Sequence, residues 1–149
     1  MSFTLYLNSE NGTKVNAGST QAVSYNFNWS VLDNNASYEL AFSFASKDGG
    51  ALTAGSQFAL RLNGIGGLNN SYNITSNGAA TSTEIIGTIS PQSVANTHYL
   101  YAAAFDNPPV FFKNRPSGNN FRVEIMNLVG NTIPVFTAEW ALVLFFKKL

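Results

Sequence analysis

Phe136-Thr137-Ala138-Glu139-Trp140-Ala141-Leu142-Val143-Leu144-Phe145-Phe146-Lys147-Lys148-Leu149 is the stretch whose reading decides the fold. Trp140, Leu142, Leu144 and Phe146 share one parity, and Ala141, Val143 and Phe145 the other. Successive side chains of a strand point to opposite faces, so residues 140–149 read as a strand apolar on both faces, buried in the middle of a sheet. Its neighbours must come from earlier in the chain, which makes the fold non-local and all-β.

Working outward, the same two-residue period recurs. Residues 3–7 set Phe3, Leu5 and Leu7 against Thr4 and Tyr6, and the turn pair Asn11-Gly12 follows. Residues 22–31 carry the clearest alternation, with Val23, Tyr25, Phe27, Trp29 and Val31 on one face. Residues 37–46 repeat it with Tyr38, Leu40, Phe42 and Phe44, and residues 57–62 with Phe58, Leu60 and Leu62, Arg61 facing the other way. Residues 63–78, rich in Gly and Asn, read as a long surface loop. Gly64-Ile65-Gly66-Gly67 lacks the Lys-Ser/Thr ending and the following helix of a phosphate loop. Residues 82–89 and 99–105 are further strands, Val110-Phe111-Phe112 an edge segment beyond Pro108-Pro109, and residues 121–126 another strand.

Eight strands with no helical period to connect parallel pairs imply an all-β, eight-stranded antiparallel jelly-roll sandwich, its first and last strands adjacent, as one domain over residues 1–149. An immunoglobulin-like sandwich is the alternative, weakened by the absence of cysteine.

The 149-residue chain is 45% hydrophobic, enough for one core burying roughly 70% of the unfolded surface. Charged residues are only 11%, against ~25% in ordinary soluble domains. Polarity comes instead from amides and hydroxyls, with 19 Asn. Eight basic residues balance eight acidic ones and are scattered, so direct nucleic-acid binding is not expected. No run approaches a membrane span, and the first residues lack the basic region of a signal peptide, which points to synthesis in the cytosol. On that reading the five sequons, at Asn11, Asn28, Asn35, Asn69 and Asn73, are chance matches in an Asn-rich chain.

His98 is the sole histidine, so a cupin-type metal site and a base-activated nucleophile both fail on inventory. The carboxylates show no same-face pairing of the kind glycosidases use; Glu124 and Glu139 match in parity but lie on separate strands. Asp106-Asn107 reads as an Asx turn and not as a calcium site, which needs six or more oxygens. No enzymatic activity and no cofactor are expected.

Tyr101-Ala102-Ala103-Ala104-Phe105-Asp106-Asn107-Pro108-Pro109-Val110-Phe111-Phe112, then Arg115-Pro116 and Asn119-Asn120-Phe121-Arg122-Val123, stand with Tyr25-Asn26-Phe27-Asn28-Trp29 and the closing Trp140-to-Lys148 run. Together these resemble small single jelly-roll capsid proteins of large icosahedral double-stranded DNA viruses of algae and protists. The resemblance implies a structural virion protein, made in the host cytoplasm and bound to copies of itself and to other capsid proteins. Major capsid proteins of such viruses have two jelly rolls. A single roll therefore suits the fivefold vertex, as a homopentameric penton, or a minor capsid position. The alternative is a non-viral binding module, either carbohydrate-binding or like tumour necrosis factor.

Residues 106–116 are the candidate subunit interface, through Asp106, Asn107, Pro108, Pro109, Phe111, Phe112, Arg115 and Pro116. The three prolines lower the ordering cost of docking, and Phe and Arg are enriched at interface centres. Metal analysis of the purified chain is expected to find no stoichiometric zinc or iron; bound metal lost on changing His98 would overturn the inventory argument.

Overall fold

In the computed structural model, which describes residues 2–46, 57–65, 72–74, 80–82, 84–94, 97–128 and 136–149, the strands are β1 (Ser2–Asn8), β2 (Thr13–Lys14), β3 (Ala22–Asn26), β4 (Ser37–Ser46), β5 (Phe58–Asn63), β6 (Tyr72–Ile74), β7 (Ala80–Ser82), β8 (Ile85–Val94), β9 (Thr97–Ala102), β10 (Val110–Lys113), β11 (Asn120–Asn127) and β12 (Trp140–Lys148). Eight of them have five or more residues. Those eight pair first with last (β1–β12), second with seventh (β3–β11), third with sixth (β4–β9) and fourth with fifth (β5–β8), all antiparallel. A long hairpin rolled up in this way is a jelly roll. One sheet runs β1-β12-β4-β9 and the other β8-β5-β11-β3; β2 flanks β3, and β10 lies beside the first half of β4.

β8 joins the two sheets. Its residues up to Ile89 pair with β5 and those from Ser90 with β9, so one strand turns the corner of the sandwich. The register slips between Leu60 and Arg61, a bulge that sharpens the bend beside Gly87. Gly87 is required there, because a Cβ would stand 2.6 Å from both the Asn107 side chain and the Phe42 ring.

The core forms where the inward parities of the two sheets meet. Trp140, Leu142, Leu144 and Phe146 of β12 and Tyr38, Leu40, Phe42 and Phe44 of β4 face Phe58, Leu60 and Leu62 of β5 and Phe121, Val123 and Ile125 of β11, all at most 3% exposed. Each such side chain contributes about 1.5–3 kcal/mol by leaving water. Trp140 also pins the loops, with its backbone N–H donating to Ser9 Oγ (3.0 Å) and Nε1 to the Thr20 carbonyl (2.7 Å).

Several sequence expectations are corrected in detail. The strand expected over 22–31 stops at Asn26, because Asn28 Oδ1 accepts the Ser30 N–H (3.1 Å) and caps a 3-10 turn at Trp29–Val31. That turn keeps Trp29 in the core, against Phe27, Phe121 and Phe146 at 4.9–5.8 Å, but leaves Val31 49% exposed. The region read as a loop over 63–78 contributes β6, half of the β6–β7 hairpin; its remaining residues beyond Ile65 lie outside the described ones. The strand expected over 99–105 ends at Ala102, where Asp106 closes a turn onto Ala103. β12 is central as expected, yet only its even-numbered face is buried: Ala141 and Phe145 are exposed and Val143 is half-buried. No described helix is long and apolar enough to cross a membrane.

Tyr25 ties β3 to the end of β1 by donating its hydroxyl to the Asn8 carbonyl (2.6 Å). Burial first, and the nearby Glu10 charge second, raise its pKa well above the ordinary 10.0. The folded state thus favours the protonated phenol, so this contribution is complete below pH 10 and is lost as pH rises above it. Chemical denaturation is expected to show a decline in stability above pH 10 that is shallower in Tyr25→Phe.

Candidate functional site

The open face of β12 is continuous with its neighbours through the ladder register. Tyr6, Val143 and Ser43 lie in one row, Thr4, Phe145 and Ala41 in the next, and Lys147, Glu39 and Phe111 in the third. All point away from the core, since their sequence neighbours point into it. Tyr6 is 77% exposed and Phe145 37%. The 103–109 turn rises beside this face and carries Phe105, 98% exposed.

Between turn and face lies a groove of about 740 Å³, lined by Glu39, Ala41, Phe145 and residues 104–109. The small Ala41 side chain helps leave this space between the Phe145 ring and the prolines. Glu39 and Asp106 are the only ionisable groups in the lining, and Lys147 Nζ approaches Glu39 at 4.0 Å.

Asn107 fixes the turn in place. Its Oδ1 accepts the Thr88 N–H (2.9 Å) and its Nδ2 donates to the Thr88 carbonyl (2.9 Å), so the side-chain amide pairs with β8 as another strand would. Asp106 Oδ2 accepts the Ala103 N–H (2.6 Å). Both residues hold the groove wall while Pro108 and Pro109 form its surface.

The structure therefore divides the eight candidate interface residues. It brings Asp106, Asn107, Pro108 and Pro109 together with Phe145 and Ala41, and leaves Phe111 exposed on the same face. It removes Phe112, which is 3% exposed, stacked on Tyr38 (5.7 Å) and edge-on to Phe146 (6.0 Å). Pairing with Tyr38 gives Phe112 the inward parity, and Phe111, opposite Glu39, the outward one. Pro116 is also buried. Arg115 is exposed but apart from the groove, with Nη1 donating to the Leu32 carbonyl (3.4 Å). Tyr6, Ala41, Phe105, Val143 and Phe145 were not among the candidate interface residues; the second apolar parity of residues 141–145 was the signal for Val143 and Phe145, and only the ladder register brings Tyr6 and Ala41 beside them.

A second polar cluster sits on the outer face of the other sheet. Glu124, 2% exposed, pairs with Arg61 and lies 3.6 Å from Arg122 Nη1. Two guanidiniums beside one carboxylate compensate its burial. Among the described residues no group of His, Asp and Glu could hold a metal ion. The backbone of His98 lies in β9, and its side chain falls outside the described part.

No family model and no curated protein sequence matches this chain. Among solved structures it is similar to the mavirus penton protein, at 8% identity and a TM-score of 0.41 over 100% of both chains. It is similar also to the CBM22-1–GH10 modules of Clostridium thermocellum endo-1,4-beta-D-xylanase 10B complexed with xylohexaose, at 11% identity and 0.37 over 99% of this chain and 24% of that one. A third likeness is to the infectious bursal disease virus VP2 subviral particle, at 8% identity and 0.36 over 99% of this chain and 37% of that one. At these scores none of the three bears on what the chain does.

The divergence between neighbouring phenylalanines is directly measurable. Phe112→Ser is expected to lower the unfolding free energy by about 3–5 kcal/mol, and Phe111→Ser to change it by less than about 0.5 kcal/mol, both by denaturant titration.

Proposed function

We propose that this chain is a structural protein of a virion, and most specifically a penton that assembles as a homopentamer through the outer face of β1, β12 and β4 and its groove. One observation carries the reading. β12 already fills the core with its even-numbered residues, yet Phe145 on its odd-numbered face and the flanking Tyr6, Phe105 and Phe111 are aromatic groups left in water. Exposed apolar surface of this kind, with few charges to desolvate, suits permanent contact with other chains. The sequence resemblance to single jelly-roll capsid proteins supplies the setting: the capsid, beside other capsid proteins, after synthesis in the host cytoplasm. In this reading the chain neither catalyses a reaction nor contacts nucleic acid directly, and a minor capsid position is the nearest variant.

A carbohydrate-binding module is the second reading. It is favoured by the same exposed rings, which sugars stack against. Native mass measurement separates the two. The wild-type chain is expected as a pentamer, and the Phe105→Asp, Phe145→Ser double variant as a monomer with a cooperative melt. A wild-type monomer that retains immobilised glycans, a trimer, or a double variant that still forms pentamers would overturn the penton reading.

A further inference from the structure

We infer that the free edge of β1 is a second association site, at which two copies of this chain pair β1 to β1 antiparallel about Leu5. This goes beyond the ring contact, because it uses backbone groups at a sheet edge instead of side chains on a sheet face.

Among the described residues β1 pairs with β12 alone. The Ser9 N–H donates to the Trp140 carbonyl (3.0 Å), which sets the phase of the ladder. Hydrogen-bonded pairs then alternate: Leu7, Leu5 and Phe3 bond to β12, while Ser2, Thr4, Tyr6 and Asn8 point their N–H and C=O groups away from it. The Asn8 carbonyl accepts from Tyr25 Oη and from the Asn11 N–H, which agrees with that direction.

Edge strands are ordinarily guarded by charge, proline or a bulge. β10 has Pro109 before it and Lys113 at its end. β1, Ser-Phe-Thr-Leu-Tyr-Leu-Asn, has none of these, and its register with β12 is unbroken over seven pairs.

The core is also unfinished along this edge. Phe3, Leu5 and Leu7 point inward but are only half-buried, whereas their partners Phe146, Leu144 and Leu142 are at most 1% exposed. Tyr25 and Phe27, across the gap between the sheets, are half-buried as well. A further strand would cover these side chains and satisfy the edge groups together.

The occupant that fits is a second β1. In an antiparallel pair centred on Leu5, Phe3 meets Leu7 of the second copy, Leu5 meets Leu5 and Thr4 meets Tyr6; Asn8, whose carbonyl is engaged by Tyr25 and Asn11, lies outside the pair. Apolar residues meet apolar on the inner side, uncharged polar groups and the Tyr ring meet on the outer, and no like charges oppose each other. The paired residues 3–7 span about 17 Å at ~3.4 Å per residue. Such a strip buries well under the ~800 Å² per partner of a standard interface. The contact is therefore weak alone and gains strength where many copies are held together.

The test is sedimentation velocity over a range of concentrations, with amide exchange read at Thr4 and Tyr6. It uses the wild type and the Phe105→Asp, Phe145→Ser double variant, which silences the outer-face contact and so separates a failure here from a failure of the ring reading. In the double-variant background the chain is expected to go from monomer to dimer as concentration rises, with exchange at Thr4 and Tyr6 slowing in step. Thr4→Pro removes an edge N–H without touching the β12 ladder, and is expected to weaken the dimer about tenfold or more. Leu5→Lys and Leu5→Glu, each alone, should abolish it, and an equal mixture of the two should restore it, because residue 5 faces its own copy. Dimers as tight in Thr4→Pro, a mixture no tighter than its components, a chain monomeric throughout, or slow exchange at Thr4 and Tyr6 in the monomer would overturn the inference. Should Thr4→Pro fail to fold, the Leu5 mixture decides.

Discussion

The placement of β12 between β1 and β4 is the constraint on which the rest of the structure depends. Its partners come from near the start of the chain and from residues 37–46, so the ladder can close only when distant segments meet. Loop-closure entropy opposes such pairing, and local propensity does little to offset it. The compensating gain is the burial of Trp140, Leu142, Leu144 and Phe146 against β11 and β5. With β12 seated, β1 and β4 are fixed in register, and the inward and outward parities of three strands are decided together.

That coupling of parities also makes the exposed face. A strand cannot direct Leu144 inward without directing Phe145 outward, so the residue that follows a core position is committed to the opposite surface. In an ordinary outer face that residue is polar. Here it is Phe145, beside Ala41 and Val143, and the same alternation in β10 buries Phe112 while lifting Phe111 to the surface.

The groove beside this face rests on backbone geometry as much as on side chains. Gly87 lets the Asn107 amide approach β8 closely enough to bond both polar groups of Thr88. Pro108 and Pro109 then extend the chain into β10 without needing donors of their own. The wall of the groove is thus ordered before any partner arrives, which reduces the entropy lost on docking.

The two-residue alternation by itself determined that the chain is all-β, where most of its long strands lie, and which aromatic residues of residues 37–46 fill the core, because side-chain direction in a strand follows from sequence position alone; the strand read over 82–89 lies at Ile85–Val94 instead. It misjudged residues 27–31, where the Asn28 side chain competes with the ladder, and it could not say that β8 serves both sheets, since a shared strand has no local signature. The candidate site was legible in part: the proline-bounded segment was found, but Phe111 and Phe112 are alike in sequence and only the register against Tyr38 separates them. Only the tertiary structure decided that the second apolar face of β12 stays open. A strand apolar on both sides is compatible with a layer on either face, and whether this chain itself supplies the second layer depends on where its other strands pack.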